Sequence, residues 1–387
     1  MRHRGPASRL VFLRGMAVES ILHTTGRPEP APVGSGEKWR DASMPEPHRI
    51  PADDLRAFVV GLIEKLGTPA DIAQVVATTL VNADLAGHTS HGVMQIANYL
   101  GGIERGWLVP DARPTVIREL PGSAAIDAHS GWGHYTAKWT MDRLIEKARV
   151  TGVACASIGA VQHIGRLGEY AEQAAAAGCV GIISVAWGGR DIGPAPPYGG
   201  VSKSLGTNPF TVGAPTGDDT PFVSDFATTA VAHGKIAVAR LNGTDAPADS
   251  IVDTNGAPTV DPDAFFDGGA LRIFGGHKGY ALSLVTCVLA QLNGEYDEEG
   301  RRVHGVYMQA IDIGAFQPLE TYQRHVRSLM DDMKASETAP GVDEVLAPGE
   351  PERRARDRQL AEGVELSGAM VTHLRECAAR AEVDPLC

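Results

Sequence analysis

The stretch from Val153 to Val185 constrains the fold of this 387-residue chain more tightly than any other. Val153 to Ile158 reads as a strand of small residues. Leu167 to Ala177 reads as a helix, closed by Gly178 in the C-cap position. Val180 to Val185 is continuously apolar, as expected of a strand buried on both faces. Strand, helix and strand in that order call for an α/β layer. No GxGxxG follows a strand, so the Rossmann dinucleotide fingerprint is missing. GxxxxGK followed by Ser or Thr, HExxH and GxSxG are missing too, which removes the P-loop, zinc-peptidase and serine-hydrolase readings.

The rest of the chain divides around that layer. Residues 1–47 hold a short basic start, a four-residue apolar run (Leu10 to Leu13) and a Pro/Gly-rich stretch over 26–36. They read as a disordered tail without a signal-peptide core, or as an over-long start, Met16 and Met44 being alternatives. Residues 48–115 read as a helical segment that packs with the C-terminal helices. It has helices over Asp53 to Leu66 and from Pro69 to Leu85, the second with Thr68 as N-cap. A third is capped by Ser90 and runs to Ile103. Residues 116–310 read as a mixed α/β core, with strands over 116–127, a helix from Gly133 to Val150, a strand at Phe222 to Phe226 and a helix near Thr229 to Val238. A glycine loop leads into an apolar helix over Gly276 to Leu292. Trp187 to Gly200 reads as a long functional loop. Residues 311–387 read as helical and charged, broken at Ala347 to Pro351.

Composition narrows the function. A net charge of -12 with no long basic run argues against a nucleic-acid partner. The five cysteines are scattered and never in CxxC spacing, which points to a reducing cytoplasm rather than a disulfide framework. No apolar run reaches membrane-spanning length.

Two histidines stand out first. His88 and His91 flank Thr89-Ser90 where one helix ends and another begins. This places His91 in a first helical turn, where the dipole disfavours imidazolium. Such a histidine suits proton transfer near neutrality, or it simply hydrogen-bonds the turn. A metal site is disfavoured, because only Asp84 lies near the pair and no third ligand is in view. Gly275-Gly276-His277-Lys278-Gly279 offers backbone N–H groups and a lysine at a helix start, either a phosphate cradle or a tight turn with a solvated lysine. His163 reads as the opening of the Leu167 helix. Asp225, at a strand end, suits orienting a histidine, binding a ribose hydroxyl or capping a helix.

Taken in order, these motifs resemble the type-2 malate/L-lactate dehydrogenase family over about Ile50 to Val383, closest to its hydroxycarboxylate dehydrogenase branch. The matching pieces are Leu85 to Gly92, Gln162 to Gly168, Leu205 to Phe210, Asp225 to Thr229, Gly234-Lys235, Gly276 to Tyr280 and Pro348 to Glu352. The resemblance implies a non-Rossmann α/β fold, with a mostly antiparallel cofactor-domain sheet and a helical domain. It implies a homodimer that uses NAD or NADP to interconvert 2-oxoacids and 2-hydroxyacids. His91 and His163 match the histidines assigned to proton transfer, and His91 lies at the nicotinamide end. Cofactor contacts fall on Gly165, Arg166 and Leu167, and on Val223, Ser224, Asp225, Phe226 and Ala227. They continue on His277 with Lys278 and on Gly349, Glu350, Pro351 and Glu352. Ser90, Gln95, Thr207 and Asn208 fall on the substrate side.

One departure is chemical. Many members carry an arginine four residues after the motif histidine, where this chain has Gln95. A neutral amide cannot replace a bidentate guanidinium. Arg190, with Asp191 as a competing partner, is the expected substitute, ahead of Arg166 and Lys203. The alternative function is a non-catalytic or metal-dependent binding protein on the same scaffold.

Overall fold

The computed structural model describes residues 48–189, 192–293 and 302–386. The tail read over 1–47 and the Arg190 reading lie outside the described residues. In chain order the elements are β1 (His48–Ile50), α1 (Ala52–Lys65), α2 (Ala70–Leu85), α3 (Ile96–Glu104), β2 (Thr115–Leu120) and β3 (Ser123–Asp127). Next come α4 (Gly133–Thr151), β4 (Val153–Gly159), α5 (Gly168–Ala176), β5 (Cys179–Gly189), β6 (Phe210–Ala214), β7 (Phe222–Phe226) and α6 (His233–Asn242). They are followed by β8 (Ile251–Val252), β9 (Pro258–Thr259), α7 (Pro262–Phe266), β10 (Ala270–Leu271) and α8 (His277–Ala290). The chain closes with β11 (Arg302–Asp312), α9 (Leu319–Lys334), α10 (Glu350–Glu362), β12 (Val364–Leu366) and α11 (Gly368–Arg380).

Seven strands form one sheet in the order β2-β3-β4-β11-β5-β6-β7. Every neighbouring pair is antiparallel except β3 with β4. This is the mixed, mostly antiparallel α/β architecture expected. Its central strand, β11, was not legible in the sequence. Val306, Met308 and Ala310 are buried, but polar Gln309 and the half-buried Tyr307 alternate with them, so no continuous apolar run announces a central strand. β5 is longer than read because it pairs with β11 along its whole length. Trp187 to Gly189 therefore belong to a strand and not to the loop.

Helix α5 lies against Gly181 and Gly213 on one face of the sheet, and the end of α8 lies against Gly305 on the other. Alternation of side chains along a strand makes these opposite faces. The core under α4 and α5 gathers Met141, Leu144, Tyr170, Ile183 and Met308. A second core joins the N-terminal helices to β12 and α11 through Leu55, Val76, Leu80, Ile96, Val364 and Leu374. A third, smaller one (Ile236, Ile251, Phe265, Leu271) packs α6 and α7 on the three-stranded sheet β10-β8-β9. No helix among the described residues is long and apolar enough to cross a membrane.

Several helix starts differ from the sequence reading, each for a tertiary reason. Thr68 caps nothing, since its hydroxyl accepts the Trp132 indole N–H at 3.0 Å. Ser90 does not cap a helix either. Two short 3-10 turns, Thr89–His91 and Val93–Gln95, precede α3, because the Asp84 carboxylate takes the Val93 N–H at 2.8 Å. His163 does not open α5. That helix starts at Gly168, whose N–H donates to Asp225 Oδ2 at 2.8 Å. The α6 helix begins at His233, after a segment in which the Thr228 hydroxyl donates to Thr207 O and the Thr229 hydroxyl to Val231 O.

Candidate active site

The His91 turn is built on a buried carboxylate. Asp84, at the end of α2, is 2% exposed and lies directly beneath Gly92, where any Cβ would collide with it. Burial pushes its carboxyl up to about 7, against the Val93 hydrogen bond that favours the charged form. Gln359 of α10 donates to the carbonyls of Asp84 and Leu85 at 2.7 and 3.0 Å, fastening the turn from behind. His88 Nε2 meets Glu352 Oε1 at 3.1 Å, and that bond draws the Glu352 carboxyl below its usual pKa. His91 Nδ1 faces the Ser90 hydroxyl at 2.9 Å. Its pKa is lowered, but by enclosure in protein and not by a helix dipole; Asp225 partly opposes the shift.

His163 lies on the irregular segment between β4 and α5 and has an exposed side chain. Its ring stacks on His91, with centroids 5.5 Å apart and planes 27° apart. The structure thus brings together two histidines that are far apart in sequence. Behind His163 stands a wall of rings. The Tyr99 hydroxyl lies 2.8 Å from His163 Nδ1 and 3.3 Å from His134 Nε2. Trp132 packs edge-on against Tyr99 at 5.3 Å. His134 is fully buried, and burial pushes its pKa down to about 3. The protein around His163, with His91 and His134 beside it, holds its pKa well below the ordinary imidazole value. Sequence reasoning missed Tyr99 and His134. Each sits on a helix face that reads as core, and only the fold puts them beside His163.

Of the expected nucleotide contacts, Arg166 and Asp225 lie near enough to His91 to act on its charge. Arg166 is 3% exposed and meets Glu172 Oε1 at 2.7 Å. Burial opposes its charge, yet Glu172, Asp225 and Glu169 together raise its pKa. Its Nε and Nη1 have no hydrogen-bond partner in the described structure. Gly349 has φ +98°, and a Cβ there would stand 2.6 Å from Pro221 O, so the start of α10 lies hard against the approach to β7. An open crevice between them is lined by Glu172, Thr220, Val223, Gly349, Glu352 and Arg356. A buried guanidinium with two unused donors, acting on His91, fits an anionic oxygen such as those of a dinucleotide. Gly165 and Leu167 flank Arg166, and Ser224 to Ala227 continue from β7 to a ring contact of Phe226 with Phe274 at 5.7 Å. That contact leads to α8, where Lys278 is exposed at the first turn and His277 packs edge-on near Tyr198 at 6.0 Å.

Other expected side chains are already engaged. Asp225 uses one oxygen on Gly168 N–H and the other on the Thr211 hydroxyl at 2.6 Å, so it caps α5 from a distant strand. Glu350 pairs with Lys334 and with Ala347 N–H. Asn208 accepts from Trp187 N–H at 2.9 Å and donates to Ser283 Oγ and Cys287 Sγ, tying β5 to α8. Thr207 accepts from Thr228 through its carbonyl. Gln95 donates to Ser90 O at 2.6 Å and accepts from Asn98, so its amide serves the turn. Arg190 lies outside the described residues.

The fold sets a mostly antiparallel seven-stranded sheet, not a Rossmann sheet, beside two histidines brought ring to ring. A profile of the family described as malate/L-lactate dehydrogenase matches residues 50–375. Malate dehydrogenase of Pyrococcus abyssi is 33% identical over 353 residues, 87% of this chain and 96% of that one. Hydroxycarboxylate dehydrogenase B of Escherichia coli O157:H7 is 36% identical over 248 residues, 64% and 68% of the two chains. The solved malate dehydrogenase of Pyrococcus horikoshii OT3 superposes with a TM-score of 0.78 at 32% identity, covering 89% of this chain and 99% of that one. The chain belongs to the malate/L-lactate dehydrogenase family, an oxidoreductase family.

Proposed function

We propose that the protein interconverts a 2-oxoacid and the corresponding 2-hydroxyacid, with NAD or NADP as redox partner. The observation that carries this reading is the stacked pair of imidazoles, His91 and His163, with the buried Arg166 guanidinium close enough to act on the charge of His91. Arg166 would meet phosphate or ribose oxygens of the nucleotide through Nε and Nη1. Glu352, already bonded to His88, suits a ribose hydroxyl and would repel a phosphate. Lys278, exposed at the start of α8, suits a phosphate. The bound nicotinamide, when reduced, supplies a hydride to the carbonyl carbon. His91 or His163 supplies the proton that the carbonyl oxygen gains, and takes it back in the hydroxyacid direction.

The substrate carboxylate needs a cationic or multiply donating partner in a partly dry cleft. Gln95 is engaged by Ser90 and Asn98, and Arg166 is paired with Glu172. Arg190 is the proposed partner, ahead of Arg166 and Lys203. A homodimer in the cytoplasm belongs to the same reading. The apolar side chains Leu284, Val285 and Val288, which α8 leaves exposed, support a protein partner there.

The test is consumption of NADH or NADPH, followed by absorbance, over a panel of 2-oxoacids. Turnover with at least one acid is expected. Nucleotide binding without turnover on any acid would overturn the reading in favour of a non-catalytic binder.

A further inference from the structure

We propose that Tyr99 is a positioning residue that holds neutral His163 with its proton on Nε2, so that the cleft meets an N–H donor and not a lone pair. The proposal rests on the reading of His91 and His163 as the reacting pair, and it divides their labour.

The argument starts from an orphan. His134 is fully buried, and its Nδ1 has no partner in the described structure. Its Nε2 reaches the Tyr99 hydroxyl, and that hydroxyl reaches His163 Nδ1. If both imidazoles donated to Tyr99, its own hydroxyl proton would be left without an acceptor, so the chain runs in one of two directions. If His163 Nδ1–H donates to Tyr99, Tyr99 must donate to His134 Nε2. A neutral His134 then carries its proton on Nδ1, as a buried donor with no acceptor. Run the other way, His134 Nε2–H donates to Tyr99 and Tyr99 donates to His163 Nδ1. What remains bare is then a lone pair on His134. Bare buried donors are rarer than bare acceptors, so the second direction prevails. In that direction a neutral His163 has its proton on Nε2.

His91 is backed differently. Its Nδ1 faces the Ser90 hydroxyl, whose proton can rotate to donate to a bare Nδ1 or turn away to accept from Nδ1–H. His91 can therefore gain and lose a proton without leaving an unmatched group behind. The groups facing His163 are His91 across the stack, Tyr99, and His134 at the ring edge. None of them offers it a comparable exchange. In the reducing direction the hydride bonds to the carbonyl carbon. His91, as imidazolium, gives its proton to the oxygen and becomes neutral. His163 keeps its proton throughout and polarises the carbonyl as an uncharged donor.

The test is nitrogen NMR of the histidine rings in ¹⁵N-labelled protein free of nucleotide, near pH 7.5. The wild type is expected to show an unprotonated Nδ1 and a protonated Nε2 at His163, assigned by their loss in His163→Gln. Tyr99→Phe should mix or reverse that tautomer, leave the His91 signals in place and lower kcat ~10- to 100-fold with the nucleotide KM unchanged. A protonated Nδ1 at His163 in the wild type overturns the proposal, whatever the kinetics. So does a Tyr99→Phe protein with unaltered tautomer and kcat. Wild-type turnover by His163→Ala would instead overturn the pair reading beneath it, while the tautomer found by NMR would stand.

Discussion

The two imidazoles that share the cleft are supported by different kinds of structure. His91 rides on a 3-10 turn fastened by polar groups: the Ser90 hydroxyl beside it, the Asp84 carboxyl beneath, and the Gln359 amide and the His88–Glu352 bond behind. His163 leans on a packed wall of Tyr99, Trp132 and His134, in which one hydrogen-bond chain ends at an unpartnered nitrogen. A backing of rotatable polar groups lets a side chain change protonation state. A backing of close-packed rings fixes one state. The contrast assigns different duties to two residues of the same type.

The two backings should also respond to pH in opposite directions. His134 behind His163 has its pKa pushed down to about 3, well below the usual 6.5. The folded protein thus resists its protonation. Its contribution is full above pH 6.5 and is lost as pH falls towards 3. Across that window the loss is at most about 5 kcal/mol. His134→Gln should flatten the fall in stability measured by denaturant unfolding between pH 7 and 4. An unchanged slope would mean that the wall admits water and is not the dry support described.

Asp84 beneath His91 has the opposite sign and a slightly smaller expected effect. Its folded pKa of about 7 lies above the usual 3.8, so its contribution is full below pH 4 and is lost as pH rises through 7. By pH 8 the cost reaches about 4 kcal/mol. Asp84→Asn keeps an acceptor for Val93 N–H and removes the charge. The variant should be more stable than the wild type at pH 8 and about equal to it at pH 4. An equal shift at both pH values would assign the effect to packing and not to charge.

How much of this was legible in the sequence depends on where each constraint originates. β5 could be read because an apolar run records burial on both faces locally. β11 could not, because Tyr307 and Gln309 alternate with its buried Val306, Met308 and Ala310, and its place between β4 and β5 comes only from pairing distant in sequence. The start of α5 was legible to within one residue, but its cap, Asp225, arrives from β7 and was not. The His91 turn reads as a helix entry in the sequence because the carboxylate that breaks it lies in the preceding helix. His91 and His163 were legible as candidates from their motifs. Their stacking was not, nor was the role of Tyr99, which reads as one more apolar position of α3.

Smaller effects should separate the nucleotide side from the histidine pair. Arg166→Lys keeps a charge for Glu172 but loses the planar donors at Nε and Nη1, so the nucleotide KM should rise about tenfold. The oxoacid KM should hold. Lys278→Ala, at an exposed helix start, should raise the nucleotide KM only about three- to fivefold. An effect of either variant confined to the oxoacid would assign that side chain to the substrate and not to the nucleotide.

The division of labour is tested most directly by turnover of His91→Gln and His163→Gln side by side. Glutamine can present an N–H where His163 presents one, but it cannot carry a proton to and fro. His91→Gln should lose ~100- to 10,000-fold in kcat, the usual cost of losing proton transfer. His163→Gln should lose no more than about tenfold, because a donor remains. Equal losses, or the larger loss at His163, would contradict the account.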